Sequence, residues 1–86
     1  MRVWGKIFKN TKMLRDRVVE DYSEDTRTHK IFRALEELCH GWDLPVPIWL
    51  EKNIAEFKRM KKTRFTQDCF VEKIEFDYLE LHIIEE

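Results

Sequence analysis

The sequence predicts an α+β fold, with a small antiparallel three-stranded sheet and two helices packed on one face in the order ββααβ. Two segments near the N-terminus, residues 2–9 and 12–20, are rich in side chains that favour strands. The central part carries apolar residues at helical spacing, and residues 73–84 return to alternation. Eighty-six residues are enough for one domain and too few for two, so residues 1–86 are interpreted as a single domain.

The first two strands are predicted to form a hairpin. Residues 2–9 combine basic side chains with Val, Trp, Ile and Phe, which fit a pleated surface. Asn10 and Thr11 then form a weak turn signal, and residues 12–20 follow as the second strand.

The first helix is predicted to start near Ser23 to Asp25, because such side chains accept hydrogen bonds from free N–H groups at a helix start. Gly41 is a plausible residue for its C-terminal end. One apolar face comprises Thr28, Ile31, Phe32, Ala34, Leu35, Leu38, Cys39 and Trp42.

The second helix is predicted to begin at Pro47, whose missing N–H costs nothing in the first turn, and to run to about Lys62. Its apolar face comprises Trp49, Leu50, Ile54, Phe57 and Met60. Trp42 and Trp49 each continue a helical stripe, so we expect them to close the end of the core, although rigid aromatic surfaces are also typical of binding hot spots. Residues 63–71 are predicted to be irregular.

The last strand is predicted over Lys73 to Ile84. Apolar residues first alternate as Ile74, Phe76 and Tyr78, and then as Leu79, Leu81 and Ile83. Side chains of a strand alternate between its faces, so this change of phase predicts a β-bulge or a strand buried on both faces, and the bulge is favoured.

Charge is segregated along the chain. Residues 1–17 and 44–64 are basic, whereas residues 18–43 and 65–86 are acidic, and the net charge is −1. The balance argues against a dedicated, non-specific binder of nucleic acid or of a membrane surface. We expect the acidic last strand to lie beside the basic first strand, since opposite charges across a ladder stabilise the pairing. The alternative is that these charges dock onto a partner.

The composition predicts a cytoplasmic protein that does not enter a membrane. No apolar run is long enough to span a bilayer, and the start of the sequence lacks the pattern of a secretory signal. The two cysteines, Cys39 and Cys69, form no CxxC motif and are interpreted as reduced thiols.

Catalysis and metal binding are not predicted. Ser23 is the single serine, and the chain has neither a glycine-rich phosphate loop nor a nucleophile elbow. Cys39 and His40 are adjacent and would point about 100° apart on a helix, so they do not share a metal ion easily. The sequence therefore predicts a protein that is not an enzyme and has no cofactor.

The favoured function is a small protein-interaction domain of unknown biological role. The last strand carries apolar residues in both phases, so one of its faces is expected to need a partner. That partner is another protein or a second copy of the chain, which would form a homodimer through the sheet. The predicted interface residues are Leu79, Leu81 and Ile83.

The alternative function is weak binding of nucleic acid or phosphate at the end of the second helix. The stretch from 57 to 65 is basic, and its ends are phenylalanines. Basic side chains neutralise phosphates and aromatic rings stack on unpaired bases. The predicted binding residues are Lys58, Arg59, Lys62, Arg64 and Phe65. Against this hypothesis, helix C-termini favour Lys and Arg for structural reasons alone.

Two motifs in the C-terminal half carry a resemblance. They are LPVPIWLEKNI at Leu44–Ile54 and KTRFTQD at Lys62–Asp68, within the stretch from Leu44 to Glu80. This stretch resembles a group of short uncharacterised proteins of anaerobic Gram-positive bacteria. The resemblance implies a bacterial cytoplasmic protein and carries over no functional residue.

Overall fold

A four-stranded antiparallel sheet and two helices form the fold of this chain. The computed structural model describes residues 1–86. The elements are β1 (Arg2–Lys9), β2 (Lys12–Glu20), α1 (Arg27–Gly41), α2 (Glu51–Met60), β3 (Lys62–Phe65), a 3-10 turn (Gln67–Cys69) and β4 (Tyr78–Glu85). The strands lie in the order β2-β1-β4-β3. The chain order is therefore ββααββ.

The predicted hairpin is confirmed. β1 and β2 pair along their whole length through a two-residue turn at Asn10 and Thr11, which both have positive φ, at 51° and 64°. Positive φ at both central residues suits the right-handed twist of the flanking strands. The backbone N–H of Asn10 also donates to the Asp77 carboxylate at 2.8 Å, which ties the turn to the start of β4.

The predicted pairing of the acidic last strand with the basic first strand is also confirmed. β4 lies antiparallel to β1, with Glu80 opposite Lys6. Lys6 Nζ lies 3.2 Å from Glu80 Oε1, so opposite charges meet at the centre of the sheet.

The prediction of three strands is wrong, because β3 follows α2 directly. The helix begins at Glu51 rather than Pro47, and it ends at Met60 because Lys61 adopts a left-handed conformation with φ of 58°. This residue turns the chain at once into β3, where Thr63 and Phe65 are buried and the residues between them are exposed. Four residues give too short an alternation to identify a strand from sequence.

The prediction of one strand over Lys73–Ile84 with a bulge at the phase change is also wrong. Residues 73–77 form a loop, and β4 starts at Tyr78, one residue before the second phase begins at Leu79. The Gln67 side chain fixes this loop, because its amide nitrogen donates to the Glu72 carbonyl and its oxygen accepts from the Ile74 N–H, both at 2.9 Å. The irregularity in the β1–β4 pairing lies instead at the other end, between Arg2 and Val3.

The core lies between one face of the sheet and the two helices. Gly5 of β1 lies directly beneath Leu38 of α1, so the helix approaches the strand closely at this point. The strands contribute Val3, Ile7, Phe65, Leu79, Leu81 and Ile83, and α1 contributes Ile31, Ala34, Leu35, Leu38 and Cys39. Neither helix has the length and apolar character needed to cross a lipid bilayer.

Arg33 of α1 fastens the helix to the segment that precedes it. Its guanidinium lies 2.6 Å from Asp21 Oδ2 and 2.9 Å from Asp25 Oδ2. Hydrogen bonds from Arg33, and then from Ser23, hold the pKa of Asp21 well below its usual range. The carboxylate of Asp21 is therefore ionised in the folded protein at neutral pH.

We expect Arg33→Gln to make the free energy of unfolding less sensitive to acidic pH. Hydrogen bonds from His29, Thr26 and Arg33 lower the pKa of Asp25 to about 2, against an ordinary value of 3.8. A carboxyl whose pKa is lowered on folding stabilises the protein above its unfolded pKa, and the effect is lost as pH falls toward its folded value. Between about pH 4 and pH 2, the urea midpoint of the native protein should fall more steeply than that of the variant. If the urea midpoints of the two proteins fell in parallel over this pH range, the result would contradict a role of Arg33 in keeping these carboxylates ionised.

Candidate functional site

The five residues of the predicted basic site are divided among three places. Lys58 and Arg59 are exposed on α2, whereas Lys62 and Arg64 lie on β3 and point away from the helices. Phe65 points the opposite way and is fully buried in the core. Phe65 is therefore not available to stack on a base, and Lys62 and Arg64 border a cavity that Glu56 and Met60 of α2 also line.

The residues of the predicted sheet interface lie in the core. Leu79, Leu81 and Ile83 belong to the face of β4 that the helices cover, and all three are buried. A second molecule cannot contact them unless the helices are displaced. The two apolar phases of the sequence arise because Ile74 and Phe76 belong to the preceding loop rather than to β4.

The first candidate surface is an apolar groove between α1 and α2. Trp49, from the segment that joins the helices, fills the base of this groove. Its ring centroid lies 5.9 Å from that of Phe32, 5.4 Å from that of Phe57 and 4.9 Å from that of Phe65. Trp49 therefore packs against the core, as predicted, and also forms part of an accessible surface.

This helix groove has a volume of about 240 Å³. Its apolar lining comprises Ile31, Phe32, Trp49, Ile54 and Phe57. Phe32 is 45% exposed and Ile54 is 43% exposed, so two large apolar side chains face solvent on its opposite walls. A second cavity of about 160 Å³ continues the apolar surface on the other side of Phe32, toward Val46 and Pro47.

The mouth of the helix groove is basic. Arg27 and Lys58 complete its lining from opposite helices. Arg27 donates to Glu86 at 2.7 Å, whereas Lys58 forms no ion pair with a carboxylate of this chain. The groove thus combines an apolar floor with a free positive charge at its edge.

The second candidate surface is the face of the sheet that the helices leave uncovered, here called the open sheet face. Glu80 lies at its centre with a side chain only 7% exposed. Lys6 contacts one carboxylate oxygen at 3.2 Å, and Arg64 contacts the other at 3.3 Å. Burial alone would raise the pKa of Glu80, but Lys6 and Arg64 outweigh it and hold the pKa below its usual value.

Aromatic rings surround this charged centre. Lys6 Nζ lies 3.7 Å from the centroid of the Trp4 ring, and the Arg64 guanidinium lies 4.6 Å from the centroid of Tyr78. The rings of Phe8 and Tyr78 are stacked, with centroids 5.1 Å apart and planes 26° apart. Cations over ring faces are favourable contacts, so the open sheet face is an ordered array of rings and charges.

His82 occupies the open sheet face beside this array. Its Nδ1 is buried and has no hydrogen-bond partner in the chain. Burial is the main cause that lowers the pKa of His82, and the positive charges of Lys6 and Lys62 lower it further. The imidazole is therefore neutral at pH 7 and adds no charge to this face.

The cysteines do not form a reactive or metal-binding site. Both are buried, and burial raises the pKa of Cys39 to about 11, so its thiol stays protonated and unreactive at neutral pH. Cys69 donates to Asn53 Oδ1 at 3.4 Å inside the core. No group of three or more Cys, His, Asp or Glu side chains is arranged to hold a metal ion.

Sequence reasoning missed most members of both surfaces. The helix groove could have been found from Phe32 and Ile54, which lie at the edge of their apolar stripes and so near the solvent boundary. The open sheet face had a weaker signal, the alternation of Trp4, Lys6 and Phe8 on one side of β1. Comparison with protein-family models, with curated proteins and with solved structures finds no match to this chain.

Proposed function

We propose that this chain is a non-catalytic protein-interaction domain whose helix groove binds an acidic, amphipathic segment of a partner protein. The observation that carries the proposal is the combination of exposed Phe32 and Ile54 around Trp49 with the unpaired Lys58 at the edge. Grooves between helices commonly receive the apolar face of a partner segment.

The size of the groove supports a side-chain anchor. A volume of about 240 Å³ accommodates one or two large apolar side chains, and it is small for a typical drug-sized ligand. Trp49 has ring contacts with Phe32, Phe57 and Phe65, which fix its position before any partner arrives. A rigid aromatic floor reduces the entropy lost on binding.

Charge supports an acidic partner rather than a neutral or basic one. Lys58 and Arg27 flank the apolar lining on opposite helices, and the third polar residue of the groove, Thr28, is uncharged. A carboxylate next to the apolar anchor would contact Lys58 without displacing an existing ion pair. The polar residues of the groove include no nucleophile with an adjacent base, which agrees with binding rather than catalysis.

The test uses two synthetic helical peptides with the same leucine stripe, one with glutamates and the other with lysines on its polar face. Binding is followed by the NMR signal of the Trp49 indole N–H in the full chain. We expect the acidic peptide to shift this signal and the basic peptide to leave it unchanged. Lys58→Glu should weaken binding roughly fivefold or more, since it reverses the charge at the mouth.

Arg59→Glu is the matched control, because Arg59 is exposed on the same helix but does not line the groove. It should leave the affinity within about twofold of the native value. Equal loss in the two variants, or no shift of the Trp49 signal, would overturn the proposal. A Trp49 signal that shifts with protein concentration alone would also overturn it, since a second copy of the chain would then be the occupant.

A further inference from the structure

The open sheet face carries an inference that is independent of the helix groove. We infer that this face binds single-stranded nucleic acid, with Lys62 and Arg64 contacting phosphates and a base stacking on the Arg64–Tyr78–Phe8 column. This site differs from the predicted one at the end of α2, because it contains Lys62 and Arg64 but not Lys58, Arg59 or Phe65.

The charged side chains of the open sheet face differ in how deeply they are buried. The carboxylate of Glu80 is 7% exposed and the Lys6 side chain is 13% exposed, whereas the Arg64 side chain is 58% exposed. The Glu80–Lys6 pair thus lies beneath, and the charge of Arg64 lies outside. Lys62 adds a second exposed cation that pairs with no carboxylate of this chain. The β3 side of this face therefore presents two cations to solvent, although Glu56 borders the same cavity, Asp16 lies opposite Lys6 on the far side, and the whole chain has a net charge of −1.

The open sheet face already contains a column of stacked groups. Phe8 stacks on Tyr78, and the guanidinium of Arg64 lies over the Tyr78 ring. Unpaired bases stack on aromatic rings and on guanidinium planes, so a base can extend this column at its Arg64 end. Glu80 holds the guanidinium in place before the ligand arrives.

Trp4 adds a further ring on the same side of β1. Its indole nitrogen donates to Asp16 at 2.9 Å, which fixes the orientation of the ring on the face. Lys6 lies over this ring. Trp4 and Phe8 are four residues apart on one strand and share its uncovered side, so rings lie on both sides of Lys6. An extended strand of nucleic acid can follow such a path, whereas a duplex hides its bases.

The test measures fluorescence anisotropy of labelled 15-nucleotide single strands of DNA and RNA, with a duplex of the same sequence as the comparison. We expect the single strands to bind at 50 mM salt and to be released as salt increases, because phosphate contacts displace counterions. The duplex should bind at least about fivefold more weakly. Preference for RNA over DNA would identify contacts to the 2′-hydroxyl, and equal binding would exclude them.

Three variants locate the site. Lys62→Glu should weaken binding roughly fivefold, and it should fold normally because Lys62 is exposed and unpaired. Arg64→Lys keeps a charge beside Glu80 but removes the plane for stacking, so it should weaken binding roughly threefold. Arg59→Glu reverses an equally exposed charge on the helical side and should change little.

Several results would overturn this inference. They are the absence of single-strand binding at 50 mM salt and 100 μM protein, equal affinity for the duplex, or equal loss in Arg59→Glu and Lys62→Glu. The last result would show non-specific attraction to the basic helix end. Each of these leaves the helix groove untested, and the peptide experiment has a separate readout at Trp49.

Discussion

We expect replacement of Gly5 by alanine to lower the free energy of unfolding by about 2 kcal/mol. A Cβ atom at this position would lie 2.5 Å from Leu38 Cδ1 and 3.1 Å from Leu38 Cδ2. Leu38 is fully buried, so it cannot move aside into solvent. The expected loss therefore exceeds the small gain that alanine normally gives over glycine in a strand.

A second substitution in Leu38 tests the cause of this loss. Leu38→Ala alone should cost about 2–5 kcal/mol, since it removes a core side chain and leaves a cavity. In that background, Gly5→Ala should be neutral or stabilising, because the added methyl group enters the vacated space. Urea unfolding of the four proteins measures the coupling between the two sites directly.

Gly41→Ala is the matched control for a close contact with a mobile neighbour. An added Cβ would lie 2.9 Å from Arg17 Nη1, the far end of an exposed side chain that can swing away. Its effect should stay within about 0.5 kcal/mol. Additive losses for Gly5→Ala and Leu38→Ala, or an equal loss for Gly41→Ala, would contradict the steric explanation.

The parts of the fold that could be predicted are those with a long, regular pattern. The first seven residues of β1 alternate between half-buried and buried positions, and α1 buries one continuous stripe. The pairing of β1 with β4 followed from charge, because residues 1–17 are basic and residues 65–86 are acidic, and in the structure Lys6 of β1 contacts Glu80 of β4. Local periodicity and charge decide these elements without long-range information.

The parts that could not be predicted depend on contacts between distant segments. β3 contains four residues, and it is a strand because Thr63 and Phe65 pair with β4 and not because of its own composition. The sequence predicts Lys62 and Arg64 at or just after the end of the second helix. Because the left-handed conformation of Lys61 ends that helix, both residues lie on the sheet instead. Two of the predicted binding residues therefore belong to the open sheet face, whereas Lys58 and Arg59 remain on α2.

Asn53 is a further feature that no hydrophobic pattern reveals. It is completely buried and lies in the first turn of α2. Its side-chain oxygen accepts from the Leu50 N–H at 3.1 Å, and its amide nitrogen donates to Thr63 Oγ1 at 2.9 Å and to the Arg64 carbonyl at 3.0 Å. This one side chain therefore joins the start of α2 to β3.

We expect Asn53→Asp to lower the free energy of unfolding at pH 7 by about 3–5 kcal/mol. The substitution keeps the shape of the side chain but replaces the amide donor with an acceptor that faces the Arg64 carbonyl. It also places a negative charge at a position that is completely buried. The side-chain oxygen of Asn53 accepts from the Leu50 N–H and from the Cys69 thiol, and neither of these donors is a cation. A buried carboxylate without a cation costs far more than a lost hydrogen bond.

The pH dependence of this loss distinguishes a buried charge from a packing defect. Burial raises the pKa of the new carboxyl group in the folded state above its unfolded value of about 3.9. The difference in stability between native protein and variant should therefore be smallest below about pH 4 and should grow as pH rises through the folded pKa. Thr63→Val removes the hydroxyl that accepts from Asn53 and donates to the Glu56 carboxylate at 2.7 Å, and it should cost about 1–2 kcal/mol at pH 7 without burying a new charge. Urea midpoints at pH 4 and pH 7 supply the comparison. A pH-independent loss in Asn53→Asp would show that its cost arises from geometry rather than from the buried charge.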